Sequence, residues 1–321
     1  MAGGSSKAII AAFFANLGIA IAKLVGFVFT GSASMLAEAV HSGADTGNQA
    51  LLLLGGKRAQ KTATEQHQFG FGRERYFWAF VVALVLFSLG AGFATFEGIS
   101  KIRNPHELEG LWWAVGILIF AILLEGRSFR VAIQESNKVR GAASWSTFIR
   151  RSRSPELPVV LLEDFGAIIG LFIALAAVLI SEITNNPIWD GIGTLAIGIL
   201  LGIIAIVLAI EMKSLLIGEG ATRDHYDKIC SAILGTDHVQ SIINIRTLHL
   251  GPDELLVAAK VDFNAGLSVP QVADVIDSAE KAIRHAVPIA RLVYLEPDLY
   301  EADHVARVDH APEGEAPHKN Q

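Results

Sequence analysis

The chain has 321 residues, of which 52% are hydrophobic, 18% are charged and 30 are glycine, and its mean hydropathy is +0.44. Soluble domains carry about 25% charged residues, so at least part of this chain belongs in a membrane. A formal net charge of −6 argues against a nucleic-acid binder, which concentrates basic residues in a patch. The single cysteine, Cys230, excludes an intramolecular disulfide and a thiolate metal cluster.

A helix needs about 20 apolar residues to cross a hydrocarbon core of roughly 30 Å. Six runs approach that length: 8–30, 33–54, 77–99, 111–125 with the turn after it, 157–180 and 188–210. The residues before the first run are too few for the charged region of a cleavable signal, and the run exceeds a signal's apolar core, so it reads as a retained span. Positive charge is held on the cytoplasmic side. Lys57, Arg58, Lys61, Arg73 and Arg75 follow the second run, and Arg127, Arg130, Lys138, Arg140, Arg150, Arg151 and Arg153 follow the fourth. The alternate connections carry little: none in Gly31-Ser32, none in 181–187, and only Lys101 and Arg103 in 101–110. Both termini are therefore expected in the cytoplasm, and 142–155, with Ser, Arg and Pro, reads as a flexible cytoplasmic loop.

Beyond Leu215 charged residues recur every few positions. The pattern predicts helix over 222–234, strands over 239–250 and 255–263 joined through Gly251-Pro252-Asp253-Glu254, helix over 268–285 and a last strand over 291–295. This α-β-β-α-β order suits a small α+β module. The expected division is a six-span transmembrane domain over 1–213, a cytoplasmic domain over 214–300 and a disordered tail over 301–321.

Ionisable residues inside spans cost about 2.5–3.5 kcal/mol each on insertion scales, which makes them functional candidates. The second run carries Glu38, His41, Asp45 and Asn48 at helical spacing, on one stripe. His41 and Asp45 form an i, i+4 pair able to share one ion. The fifth run carries Glu163 and Asp164, which point about 100° apart, so only one faces the second span squarely. Imidazole and carboxylates suit Zn²⁺, and also Fe²⁺, Co²⁺ or Mn²⁺. Such ligands bind only when deprotonated, which couples metal binding to proton release. Glu163 is alternatively a counter-charge for Lys23, and Asn48 either an outer ligand or a helix-to-helix hydrogen bond. Glu97 and Glu125, at the ends of their runs, read as interfacial anchors. Gly43 and Gly47 on the second span, with Gly166 and Gly170 on the fifth, are candidates for close helix approach.

The run Asn16 to Asp45, with Lys23, Gly26 and Gly31-Ser32-Ala33-Ser34-Met35-Leu36-Ala37-Glu38-Ala39-Val40-His41-Ser42-Gly43-Ala44-Asp45, resembles the signature of cation diffusion facilitators. With six spans and the α-β-β-α-β tail, the resemblance covers 7–297. It implies a homodimeric exporter in a lipid bilayer that exchanges cytoplasmic divalent metal for protons, with His41, Asp45 and Asp164 as metal ligands and Glu163 and Asn48 as further contributors. Four residues before Asp164, where many zinc-transporting members carry His or Asp, stands Val160. The text Val159-Val160-Leu161-Leu162-Glu163-Asp164, with His41-Ser42, Asp45-Thr46 and Asn48-Gln49, is most similar to the zinc transporter nine branch and its bacterial relatives. The tail positions matching that family's second metal cluster are Ile243, Lys260 and Leu295, so no binuclear site is expected there. His249, His285 and Asp262 read as solvated residues.

The expected function is a zinc/proton antiporter of a bacterial plasma membrane, with no enzymatic activity, no resident cofactor and no nucleic-acid partner. Alternatives are a manganese or iron exporter and a membrane-anchored metal sensor or scaffold. A membrane metalloprotease would require a His-Glu-x-x-His motif within a span, which the sequence lacks.

Overall fold

The computed structural model describes residues 2–30, 33–105 and 111–300, and within the second helix the side chains of 33–38, 40 and 41 fall outside that description. The connection at 31–32, residues 106–110 and the tail at 301–321 therefore lie outside it. The chain divides into two compact units, Met1–Leu216 and Ile217–Gln321.

The first unit is helical: α1 (Ala2–Thr30), α2 (Ala33–Arg58), α3 (Glu74–Val85), a π-helical segment (Leu86–Gly92), α4 (Phe93–Arg103), α5 (Leu111–Arg140), α6 (Trp145–Arg151), α7 (Glu156–Thr184) and α8 (Ile188–Ile217). Four stretches among the described residues are long and apolar enough to cross a membrane: Ser5–Val28, Glu74–Arg103, Glu156–Thr184 and Ile188–Ile217. Large apolar side chains such as Phe14, Val28, Leu123, Ile183, Ile203 and Ile210 lie on the outer surface, as a lipid-facing helix requires. α5 does not stop where its apolar run stops. It continues past Glu125 to Arg140, because Arg127, Arg130, Gln134 and Lys138 are good helix formers and intrinsic propensity carries the helix on.

The stretch expected to be flexible contains α6. Ser144 caps it by accepting from Thr147 N at 3.2 Å, Phe148 anchors it in the core, and Arg140 donates to the carbonyl of Ala143 just before it. The core of the unit gathers Leu52, Tyr76, Val82, Val159, Val160, Leu208 and Met212, all buried. Close to it Arg75 grips Glu156 in a two-pronged ion pair, with Nη2 donating to Oε2 at 2.9 Å and Nε to Oε1.

Glycine sets one helix seam. A Cβ at Gly98 would stand 2.5 Å from the backbone N of Leu195, one at Gly198 2.7 Å from that of Thr95, and one at Gly191 2.9 Å from that of Ile102. α4 and α8 therefore meet backbone to backbone. Among the described residues nothing lies within 4 Å of a Cβ built at Gly43 or Gly47, so the close approach expected on span two is not seen there, while Gly166 and Gly170 face Ile204 and Ile197 of α8. A glycine marks a face on its own helix and carries no information about which neighbour uses it.

The second unit has α9 (Arg223–Leu234), β1 (Val239–Gly251), β2 (Glu254–Phe263), α10 (Val269–Ala286) and β3 (Leu292–Pro297). The sheet order is β1-β2-β3, with β1 antiparallel and β3 parallel to β2. β2 alternates strictly: Leu255, Val257, Ala259, Val261 and Phe263 are buried with Ile229 and Ile233 of α9 and Val275, Ala279 and Ile283 of α10. Thr222 caps α9 through its hydroxyl, and Ser268 with Gln271 forms a capping box on α10. His249, expected to be solvated, is 1% exposed, with Nδ1 at 3.2 Å from the carbonyl of Gly251. It sits at the bulged end of β1, where the irregular register breaks the alternation that assigned its face. Lys260 pairs with Asp298 at 2.9 Å and Glu296 at 3.3 Å.

Candidate cation site in the helical unit

A cavity of about 270 Å³ lies among α1, α2, the π-helical segment, α4, α5, α7 and α8. Four carboxylates line it around one level: Asp45 on α2, Glu125 on α5, and Glu163 and Asp164 on α7. From there it extends along the helices past Glu97 to Lys101 and Asp190, which pair at 2.9 Å. Along the chain the lining runs from the carboxylates at 125 and 163–164 towards positions 101, 114, 178 and 190, near the helix ends. The other halves of the helices are filled by the apolar core and the Arg75–Glu156 pair.

Each carboxylate is held differently. Asp164 is 1% exposed; its Oδ2 accepts from Ser128 Oγ at 2.7 Å, and its Oδ1 has no hydrogen-bond partner among the described residues. Glu163 has both oxygens engaged by amides of α2, Oε2 by Gln49 Nε2 at 2.6 Å and Oε1 by Asn48 Nδ2 at 3.4 Å. Glu163 therefore ties α7 to α2. Lys23 donates to Ser42 Oγ at 3.0 Å, and Glu125 is among the acids it attracts. Asp45 is half-buried at the cavity wall. The backbone of His41 lies one helical turn before Asp45 in α2; its side chain is among those outside the description. Among the described residues no three His, Cys, Asp or Glu side chains converge on one ion position. Val160 is fully buried in the core, away from the cavity.

Glu125 corrects the expectation of an interfacial anchor. It is 3% exposed, and as the fifteenth of the 30 residues of α5 it stands at mid-helix. The available signal was a stripe: Ala121, Glu125, Ser128, Ala132, Glu135 and Ser136 recur at helical spacing, and all are buried. Ser128 and Gln49 belong to the same group of residues that sequence reasoning passed over. Glu97 also lines the cavity.

A helical unit with several membrane-length apolar helices and a carboxylate-lined cavity, followed in the chain by a small α/β module, is the make-up of a multi-pass membrane protein with ionisable groups buried in its helical part. The chain belongs to the cation efflux, or cation diffusion facilitator, family: residues 9–217 match the cation efflux transmembrane domain and 221–298 the cation efflux protein cytoplasmic domain. It is 34% identical over 264 residues to the mitochondrial proton-coupled zinc antiporter SLC30A9 of Xenopus laevis, covering 81% of this chain and 47% of that one. It is 31% identical over 269 residues to metal tolerance protein C4 of Arabidopsis thaliana, covering 83% and 58%. It is 27% identical over 288 residues to magnetosome protein MamB of Magnetospira sp., covering 88% and 92%. The chain thus spans about half the length of the SLC30A9 relative.

Proposed function

We propose that the chain exports a divalent cation, zinc in the first place, in exchange for protons, through a site formed by His41, Asp45 and Asp164, with Asn48 and Glu163 contributing from beside it. The observation that carries this reading is the cavity on which Asp45 and Asp164 open, in a chain similar to proteins described as proton-coupled zinc antiporters. Two carboxylates offset the charge of a divalent ion; replacing that ion by protons lets the emptied site cross the bilayer without a net negative charge. A manganese or iron cargo is the second reading, favoured by the oxygen-rich cavity lining.

In this reading the first unit makes six spans with both termini cytoplasmic, since the basic connections follow α2 and α5. The cavity then opens to the far side and the packed core closes the cytoplasmic side, an outward-facing state. The domain limits are 1–213 and 214–300; the second domain pairs two copies into a homodimer, consistent with its match to a family cytoplasmic domain. The plasma membrane of a bacterium is the proposed host, supported by the coverage of nearly the full length of a bacterial relative.

The test is metal-dependent proton flux in proteoliposomes with Zn²⁺, Mn²⁺, Fe²⁺ and Co²⁺, for the wild type and Asp164→Ala. Flux with one metal that the variant loses supports the reading and names the cargo. Absence of flux with all four, from folded and inserted protein, overturns it in favour of a membrane-anchored sensor.

A further inference from the structure

Glu125 has no role in the site as the sequence motif draws it, yet it has the surroundings of a working residue. It sits at the middle of α5, 3% exposed, on the wall of the cavity that Asp45 and Asp164 also line. Its Oε2 has no hydrogen-bond partner among the described residues. A buried carboxylate oxygen left unmatched is unfavourable unless something else meets it. Asp45 and Asp164 both repel this carboxylate and Lys23 attracts it, so the acids share one electrostatic neighbourhood. A divalent cation in the cavity converts that mutual repulsion into attraction.

We propose that Glu125 is a cation-contacting residue of the transport site, taking from α5 the part that Val160 on α7 cannot play. The proposal rests on the transport reading above. Val160 is apolar and packed in the core, while Glu125 lines the cavity from a third helix. The donor set becomes richer in oxygen than a site with a second span-five His, and so favours harder cations than such a site would. In the present arrangement the acids line the wall without meeting at one point. The contact therefore forms as the cation draws the walls of the cavity together.

The experiment is Zn²⁺ and Mn²⁺ binding to the detergent-solubilised full chain by titration calorimetry, paired with thermal melting, for the wild type, Glu125→Gln, Glu125→His and Glu135→Gln. Glu135 is on the same helix, pairs with Lys138 at 2.6 Å and does not line the cavity. The expected result is that Glu125→Gln weakens Zn²⁺ binding at least about tenfold with melting retained. Glu125→His raises the preference for Zn²⁺ over Mn²⁺, and Glu135→Gln binds as the wild type does. The histidine variant keeps the test decisive if the glutamine variant does not fold, because a residue that never touches the cation leaves the ratio of the two metals unchanged. Wild-type affinity and an unchanged metal ratio in the Glu125 variants overturn the proposal while leaving the transport reading intact. A wild type that binds neither metal overturns both.

Discussion

Ser128 on α5 donates its hydroxyl to Oδ2 of Asp164 on α7 at 2.7 Å, while Oδ1 of the same carboxylate has no partner among the described residues. One oxygen orients the group and the other stays available to a cation. Partners of this kind typically change metal affinity 10–100-fold when removed. Ser128→Ala is therefore expected to raise the KM for zinc by about tenfold or more, and Ser128→Thr, which keeps the hydroxyl, to restore most of it. Metal-dependent proton flux in proteoliposomes measures both.

Glu163 is occupied by two amides from α2, which points to tying helices together more than to holding cargo. Gln49→Ala leaves a buried carboxylate oxygen without its donor, at a cost of about 1–3 kcal/mol. The expected outcome is a lowered melting temperature in detergent with zinc affinity close to wild type. An affinity loss as large as that of Asp164→Asn, without destabilisation, would instead make Glu163 a ligand.

Arg75 and Glu156 form a pair in which Glu156 is 2% exposed. Removing one member of a buried pair costs about 3–5 kcal/mol because the other charge is left behind, whereas replacing both with apolar residues is often close to neutral. Arg75→Met and Glu156→Leu should each lower the melting temperature strongly. The double variant should recover most of the loss, and a double variant as unstable as the singles would contradict this account.

His225, on α9, is held below the ordinary imidazole range by burial, partly offset by the neighbouring Asp224. The folded state therefore resists a proton that the unfolded chain accepts near pH 6.5. Between the depressed folded value and about 6.5 the unfolded state binds more protons, so stability is full above that window and declines as pH falls through it. His225→Gln should flatten the decline in denaturant titrations of the full chain at pH 7 and pH 5. An equal slope in wild type and variant would assign the decline to other groups.

The α/β module was legible because its signals are local. Alternation along β2, the Thr222 cap and the Ser268-Gln271 box each act over a few residues. The helical unit was legible as runs of apolar residues, and Asp45 and Asp164 as charges inside those runs. Glu125 was misread because hydropathy marks where an apolar run ends and says nothing about where a helix ends. The glycines were misread for a related reason: sequence spacing gives a face, and only the packed structure supplies the neighbour, which for Gly166 is Ile204 of α8. Gln49 and Ser128 are neutral, so a search for charges passes over them even though they fix the two acids of α7.

The seam at Gly98, Gly191 and Gly198 bears on how the molecule can move. Backbones in direct contact leave no side-chain layer to slide over, so α4 and α8 behave as one rigid plank, in the manner of a glued joint. Around the acids, polar side-chain bridges such as Lys23 to Ser42 and the Asn48 and Gln49 amides to Glu163 join neighbouring helices, and such bonds can break and remake. Any rocking of the cavity is therefore borne by the bridged helices turning against the plank. The Lys101–Asp190 pair joins the same two helices and therefore moves with them.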